Sequence, residues 1–343
     1  MGIETHCFAW DREDSICKEL ADYFYPISIL EMEKILDECK KIQIDGICSI
    51  ASDICVPTVW FIAEKMNLTG NKYENPFVAS HKFLMRKALL KNGVNSPRFT
   101  IMKNVMDLKE FKYPLIVKPT DQVASIGVIK VEREEDLQDA IQKSQEVSYN
   151  KEVIVEEFIT GVEVSVDSIS CNGEHYILAI KDKECLKNNE IIFLAEHYPC
   201  QLNSKIQEKI KAETIKTLDA INIKNGAACT QFKITETGEV FSIEINPRMA
   251  GDFVYEVLKL HNGYDIVKGV IEVALGMFEK PVFTKNKYAG TYFLYDESDW
   301  IRNIIENKDK DLDIKEGAII NKGVHGRKGY FIYQSNNKRR WGK

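Results

Sequence analysis

The segment VFSIEINPRMAGD carries an acid, an amide and a guanidinium at alternate positions, Glu244, Asn246 and Arg248. Alternate residues of a strand share a face, so we expect these three side chains to point together and Ile243 to point to the opposite, apolar side. The preceding strand, AACTQFKIT, would face them with Gln231. Carboxylate and amide oxygens suit Mg²⁺, and a guanidinium suits a carboxylate or a phosphate. The alternative is an exposed strand face with a surface salt bridge.

A second candidate site follows the apolar strand YPLIVKPT, where Lys118 precedes the small-residue loop DQVASIG. A lysine there can act as a point charge on a phosphate. Ser125 and Gly127 would let backbone N–H groups approach the phosphate oxygens. The spacing differs from the phosphate-loop pattern G-x-x-x-x-G-K-[ST]. A lysine that snorkels from the end of a buried strand is the structural alternative.

Two adjacent acids, Glu156 and Glu157, interrupt the apolar strand EVIVEEFI, and Glu163 follows the next turn. An interdomain hinge whose backbone meets a purine would need this arrangement, with carboxylates on the exocyclic amine and on the ribose hydroxyls. The alternative is an edge strand that charged residues protect from further pairing.

The elements that must hold these residues begin with an alternation of strands and helices. The strands IETHCFAWD, YPISI and IDGICSIAS, separated by two helices, predict a parallel sheet covered on both faces. The chain starts where the first helix of such a domain would end. We therefore expect either that the true start lies upstream or that this form lacks one βα unit, and no dinucleotide fingerprint is visible. Further along, the strands that carry Gln231 and Glu244 predict a hairpin that turns at Gly238.

The composition is that of a globular chain and argues against several classes of function. The 343 residues are enough for two or three domains. The net charge of −6, with lysines spread along the chain, argues against a nucleic-acid surface. We find no apolar run of about 18 residues and no signal peptide. The nine cysteines form no C-x-x-C pair, which favours a reducing cytoplasm over a disulfide frame or a zinc site.

Four motifs in fixed order resemble the ATP-grasp superfamily. They are HKFLMRKALLKNGVNSP, PLIVKPTDQVASIGV, EEFITGVEVSVD and GEVFSIEINPR. The resemblance implies an α/β and α+β fold in which two α+β subdomains clasp ATP, preceded by a truncated Rossmann-like pre-ATP-grasp domain. The implied boundaries are 1–77 for that first domain, 78–152 and 153–280 for the two ATP-grasp subdomains, and 281–343 for an extension. The NPRMAGD ending is similar to the carboxylate–amine ligases, including amino-acid and dipeptide ligases.

The resemblance also implies a role for each candidate residue. Lys82 and Lys118 would hold the phosphates beside the loop of Ser125 and Gly127. Glu156 and the backbone around Glu157 and Ile159 would contact adenine. Glu163 would contact the ribose. Glu244, Asn246 and Gln231 would bind Mg²⁺ or Mn²⁺. Arg248, with Asn246, would hold the carboxylate or stabilise an acyl phosphate.

The implied reaction is ATP-dependent amide bond formation. A small-molecule carboxylate attacks the γ-phosphate, and an amine then displaces phosphate. Neither nucleic acid nor a membrane is an expected partner. The chain itself could form a homodimer. Because water must be excluded, a mobile lid is expected at 120–127 or 183–202.

Departures from the family pattern leave alternatives open. Gln231 stands where a glutamate is usual, which should weaken metal binding unless Glu236 or Glu239 compensates. One alternative is a carboxyphosphate enzyme that resembles carbamoyl-phosphate synthase or biotin carboxylase. Another is a nucleotide-binding protein without catalysis. His197 is expected to be structural rather than substrate-binding, and Arg327 could cap the acceptor site.

Overall fold

The computed structural model describes residues 2–13, 15–73, 81–101, 108, 111–122, 125–186, 189–295, 303–304, 306–318, 326–339 and 341. Its strands form three sheets of two, four and eight strands. Parts of both expected lid segments fall outside these ranges. Among the described residues, no helix combines the length and the apolar composition needed to cross a bilayer.

The N-terminal part contains a two-stranded parallel sheet, β1 (His6–Phe8) with β2 (Tyr23–Tyr25), and the helices α1 (Cys17–Leu20), α2 (Met32–Ile42) and α3 (Val56–Lys65). The third strand expected at IDGICSIAS is wrong, because residues 44–50 form no strand. Ile44 and Ile47 pack instead on the core between α2 and α3. Gly46 lies so close to the Ala274 carbonyl that a Cβ would come within 2.7 Å of its oxygen. This segment therefore docks on the C-terminal part of the chain rather than extending the sheet.

The four-stranded antiparallel sheet follows α4 (Lys82–Lys91). Its strands, in the order β3-β6-β4-β5, are β3 (Phe99–Ile101), β4 (Leu115–Pro119), β5 (Ile129–Val131) and β6 (Val153–Glu157). The helix α5 (Leu137–Val147) covers one face and buries Leu137 and Ile141 against the sheet. Because β6 pairs with β3 and β4, the chain changes sheet after Glu157 and not at the expected boundary of 152/153.

The eight-stranded antiparallel sheet has the order β11-β10-β7-β8-β9-β12-β14-β13. The strands are β7 (Val162–Cys171), β8 (Glu174–Leu186), β9 (Asn189–Tyr198), β10 (Gly226–Ile234), β11 (Val240–Asn246), β12 (Tyr288–Leu294), β13 (Asp313–Ala318) and β14 (Gly329–Ser335). The helices are α6 (Ser204–Ala220), α7 (Val254–Asn262) and α8 (Ile266–Ala274). The expected hairpin of β10 and β11 is confirmed, with Gly238 at φ 76° in its turn. The last three strands continue this sheet, so the segment 281–343 is not a separate extension.

The two faces of the eight-stranded sheet differ in chemistry. On one face Val164, Val166 and Phe232 pack with Ile210 of α6 into an apolar core. Because side chains alternate along a strand, the residues next to these, such as Glu163, point to the other face. That face is polar where it meets the four-stranded sheet and apolar further along, under α7 and α8. The polar end of this face is the floor of the candidate site.

Candidate active site

A cleft of about 960 Å³ is lined by residues of both larger sheets. It brings together nine of the twelve residues that the sequence singled out, namely Lys82, Lys118, Ser125, Glu156, Glu157, Ile159, Glu163, Gln231 and Glu244. The other three are Gly127, Asn246 and Arg248. Nine of the candidate residues therefore lie together, and their roles stay a prediction.

At the four-stranded sheet, the cleft is built on a buried ion cluster of Arg86, Lys118 and Glu156. The Lys118 Nζ lies 2.7 Å from Glu156 Oε2, and the Arg86 Nε lies 2.8 Å from Glu156 Oε1. Burial alone would raise the pKa of Glu156, but Arg86 and Lys118 bring it below its ordinary value. Burial lowers the pKa of Lys118, and Glu156 opposes that shift.

This cluster corrects the role expected for Glu156. Its two carboxylate oxygens already accept from Arg86 and Lys118, so the carboxylate orients Lys118 and is not presented to an adenine amine. Sequence reasoning missed Arg86, which also donates to the Ile243 carbonyl and so links α4 to β11. The available signal was its position four residues after Lys82, on the same helix face.

The loop after Lys118 packs against the other candidate lysine, Lys82. Lys82 is the first residue of α4; its N–H donates to the Thr120 carbonyl at 2.9 Å, and its Nζ donates to the Gln122 carbonyl. Ser125 lines the cleft with a left-handed backbone at φ 59°. Gly127 does not line it. A Cβ at Gly127 would lie 2.5 Å from a Val147 methyl carbon, so this glycine allows the loop to pack on α5.

In the segment after β6, the groups that a flat ring such as adenine could meet are backbone N–H groups rather than a carboxylate. Ile159 is 8% exposed and lines the cleft. Within the described part of the chain its backbone N–H makes no hydrogen bond. The Glu157 N–H, by contrast, already donates to the Arg98 carbonyl at 2.9 Å. Of the two backbone positions expected to meet adenine, the amide of Ile159 is therefore the one with a donor to offer.

On the eight-stranded sheet, Glu163 is held by two lysines that the sequence analysis did not single out. Lys183 Nζ donates to Glu163 Oε1, and Lys233 Nζ lies 3.4 Å from Glu163 Oε2. Burial would raise the pKa of Glu163, but the two lysines bring it below its usual value. Lys183 also donates to Gln231 Oε1 at 3.2 Å. The signal for Lys183 was the alternation in IKDKE, which puts it on the same strand face as Lys181.

Glu244 and Asn246 share a face of β11, opposite Gln231 and Cys229 of β10. The register shifts between Gln231 and Phe232, which leaves Ile243 as an extra residue in β11. Ile243 therefore lines the cleft, and its expected place on the apolar side is wrong.

A divalent cation fits two of the three predicted ligands. Among the described residues, Glu244 and Asn246 make no side-chain hydrogen bond and no ion pair, and Asn246 is only 7% exposed. Gln231, by contrast, already accepts from Lys183. A carboxylate beside a buried amide suits one Mg²⁺ that takes its remaining ligands from phosphate and water. Within the described ranges, no group of three or more acidic, histidine or cysteine side chains is arranged to hold a metal.

Arg248 does not continue the row of Glu244 and Asn246. The strand ends at Asn246, and Pro247 stops the alternation. The guanidinium binds Asp53 through two hydrogen bonds of 3.0 and 2.7 Å, beside a second cavity that Trp60 also lines. Arg248 therefore joins the site to the N-terminal part of the chain.

The two remaining candidates lie apart from the cleft lining. His197 is 3% exposed, and its ring nitrogens lie 2.8 Å from the Tyr333 hydroxyl and 2.9 Å from Glu184 Oε2. Both nitrogens have protein partners, as expected for a structural histidine. Arg327 binds Asp252 at 2.7 Å and so ties the start of β14 to the NPRMAGD loop.

These two facing sheets, with a lysine-lined cleft between them, define an ATP-grasp fold. Residues 111–256 match the family model of the ATP-grasp domain, and the expected ATP-grasp fold is confirmed. The Rossmann-like character of the first 77 residues stays a prediction.

Three known proteins illustrate the likeness. The large chain of carbamoyl phosphate synthase from Thermoanaerobacter sp. (strain X514) is 24% identical over 270 residues, which are 74% of this chain and 24% of that protein. Alanine–anticapsin ligase from Bacillus amyloliquefaciens is 26% identical over 310 residues, or 79% of this chain and 65% of that protein. The crystal structure of L-amino acid ligase from Bacillus licheniformis superimposes with a TM-score of 0.81 at 22% identity, covering 98% of this chain and 88% of that one. The chain thus spans less than two thirds of the length of these two curated relatives.

Proposed function

We propose that this chain is an ADP-forming ligase that uses ATP to join a small-molecule carboxylate to an amine. The observation that carries the proposal is the composition of one cleft, in which Lys82, Lys118 and Lys183 surround the floor next to Glu244, a carboxylate without an ion-pair partner among the described residues. A triphosphate needs several positive charges close together, which the three lysines supply. The metal ion that accompanies it needs a carboxylate ligand, which Glu244 supplies. The similarity to alanine–anticapsin ligase over most of the chain supports the same reaction class.

The nucleotide would lie between the two sheets. Lys82 and Lys118 reach it from the four-stranded sheet and its helix, and Lys183 from the eight-stranded sheet, so the phosphates bridge the two. The Ile159 N–H would donate to the adenine ring. Glu163 would accept from the ribose hydroxyls, which requires it to share its oxygens with Lys183 and Lys233.

The chemistry follows from the poor electrophilicity of a carboxylate. A substrate carboxylate oxygen attacks the γ-phosphorus, the bond to the β–γ bridging oxygen breaks, and ADP leaves. The amine nitrogen then attacks the acyl carbon, phosphate leaves, and the nitrogen loses a proton. The lysines neutralise charge that develops on the phosphates, and the flanking sheets exclude water that would hydrolyse the acyl phosphate.

The metal would be held by Glu244 and Asn246. When bound, Mg²⁺ or Mn²⁺ supplies further charge neutralisation on the phosphate oxygens. Arg248 is the candidate for the substrate carboxylate, and Asp53 fixes the plane of its guanidinium. A bidentate partner of this kind orients the guanidinium for a second anion.

The test is a panel of amino acids and other small carboxylates paired with amines, with ADP and phosphate release measured and products identified by mass. An amide product formed in step with ADP supports the proposal. Bicarbonate-dependent ADP release without any acid–amine pair would instead support a carboxyphosphate enzyme, which the match to carbamoyl phosphate synthase over 74% of the chain makes the second candidate. Tight ATP binding without turnover would identify a nucleotide-binding protein.

Small molecules are the partners that the relatives suggest. A homodimer and a cytoplasmic location are further parts of this proposal. Sedimentation velocity of the purified chain tests the first, and fractionation of cells that express it tests the second.

A further inference from the structure

Gln231 differs from the other two predicted metal ligands in what already contacts it. The Lys183 Nζ donates to Gln231 Oε1 at 3.2 Å. The amide oxygen is the only acceptor of a glutamine side chain, and its nitrogen cannot bind a cation. A divalent ion on that oxygen would lie beside the lysine ammonium, and two like charges at such a distance repel each other.

Lys183 is fixed in this place from several sides. Its ammonium also contacts Glu163 and lies 5.5 Å from the centre of the Phe193 ring. Burial would lower the pKa of Lys183, but Glu163 raises it above the ordinary value, so the side chain stays charged. The cation beside Gln231 is therefore permanent at neutral pH.

Glu244 lies directly opposite Gln231 in the β10–β11 pair, yet it has a different environment. In the part of the chain that the structure describes, neither its carboxylate nor the amide of Asn246 has a hydrogen-bond partner. The two strands thus differ: the β10 amide already accepts from Lys183, whereas the carboxylate and amide of β11 have no partner among the described residues.

We propose that Gln231 is a positioning residue for Lys183 and not a metal ligand, so that the nucleotide binds with a single divalent ion on Glu244 and Asn246. The Lys183 ammonium supplies the positive charge on the Gln231 side of the phosphates. This inference rests on the proposed function, because it assumes a nucleotide in the cleft.

The experiment counts Mn²⁺ by electron paramagnetic resonance in the full chain, at saturating non-hydrolysable ATP analogue, and measures ADP affinity in EDTA by calorimetry. The variants are Gln231→Leu, Gln231→Glu and Glu244→Gln, with Glu208→Gln on the exposed side of α6 as the matched control. We expect about one Mn²⁺ per wild-type chain. Gln231→Leu should keep the Mn²⁺ affinity within about threefold but weaken metal-free ADP binding by about fivefold, because Lys183 loses an anchor.

Gln231→Glu should add a Mn²⁺ or tighten Mn²⁺ binding by about tenfold, since it supplies a second carboxylate. Glu244→Gln should weaken Mn²⁺ binding by at least about tenfold, and Glu208→Gln should change nothing. Two Mn²⁺ ions in the wild type, or a loss in Gln231→Leu as large as in Glu244→Gln, would overturn the inference while leaving the ligase proposal intact. Failure of the wild type to bind either nucleotide would refute both.

Discussion

The buried cluster at Glu156 gives the sharpest prediction. The Glu156 side chain is 3% exposed and accepts from Arg86 at 2.8 Å and from Lys118 at 2.7 Å. Glu156→Gln keeps the size and one acceptor oxygen but removes the negative charge. Two buried cations then face each other without an anion. Removal of one partner from a buried ion pair costs about 3–5 kcal/mol, which is a large fraction of the about 5–15 kcal/mol that stabilises a domain.

The assay is urea unfolding followed by circular dichroism, with the midpoint and the slope compared between variant and wild type. The matched control is Asp139→Asn. That residue pairs with Lys143 at 2.7 Å, but both side chains are more than half exposed, so no resolvable change is expected. Adding Arg86→Met to Glu156→Gln should recover part of the lost stability, because it removes one of the two buried cations that no longer face an anion.

A second measurement separates the positioning role from stability. Burial lowers the pKa of Lys118, and Glu156 is the group that opposes this shift. In Glu156→Gln the pKa of Lys118 should fall further. ADP affinity should then decline with rising pH, and the decline should begin at lower pH than in the wild type. A loss of stability below about 1 kcal/mol together with an unchanged pH profile would refute the account of this cluster.

Four further predictions concern single positions. Lys118→Ala should weaken nucleotide binding by about 1.5–3 kcal/mol, as for loss of a charged hydrogen bond, measured by calorimetry. Glu244→Ala should abolish turnover in the ADP-release assay while the urea midpoint stays unchanged. Gly127→Ala should destabilise the chain by about 1–3 kcal/mol, because the residue has φ 72° and its Cβ would clash with Val147. Burial, with Asp167 adding to it, raises the pKa of Glu196 from 4.5 to about 7. The folded state therefore favours protonated Glu196, and the stability that this adds is complete below pH 4.5 and is lost as the pH rises to about 7. In Glu196→Gln, the free energy of unfolding measured across that range should not show this decline.

Each of these has an outcome that contradicts it. Unchanged affinity in Lys118→Ala would remove the phosphate role, and activity within about threefold of wild type in Glu244→Ala would remove the metal role. A wild-type midpoint for Gly127→Ala would mean that the loop does not pack on Val147 as described. Equal pH slopes in Glu196→Gln and wild type would show that another group titrates in that range.

The sequence by itself determined the class of fold, and it named nine residues that the structure then places in one cleft. Lys118 at the end of an apolar strand and Glu244 in an alternating strand are local signals, because strand periodicity fixes which side chains share a face. The hairpin turn at Gly238 is also local. These features need only a few neighbouring residues, and the tertiary structure keeps them, apart from the displaced Ile243.

What only the tertiary structure decided is which charges meet. Glu156 and Arg86 are 70 positions apart, and Arg248 and Asp53 are 195 apart, so no local pattern could pair them. The shift of Ile243 into the cleft depends on how β11 registers against β10. Local periodicity sets which face a side chain points to, whereas the partner on that face is set by the packing of distant strands and helices. For this reason, Glu156, Gln231 and Arg248 were found by the sequence but given partners only by the fold.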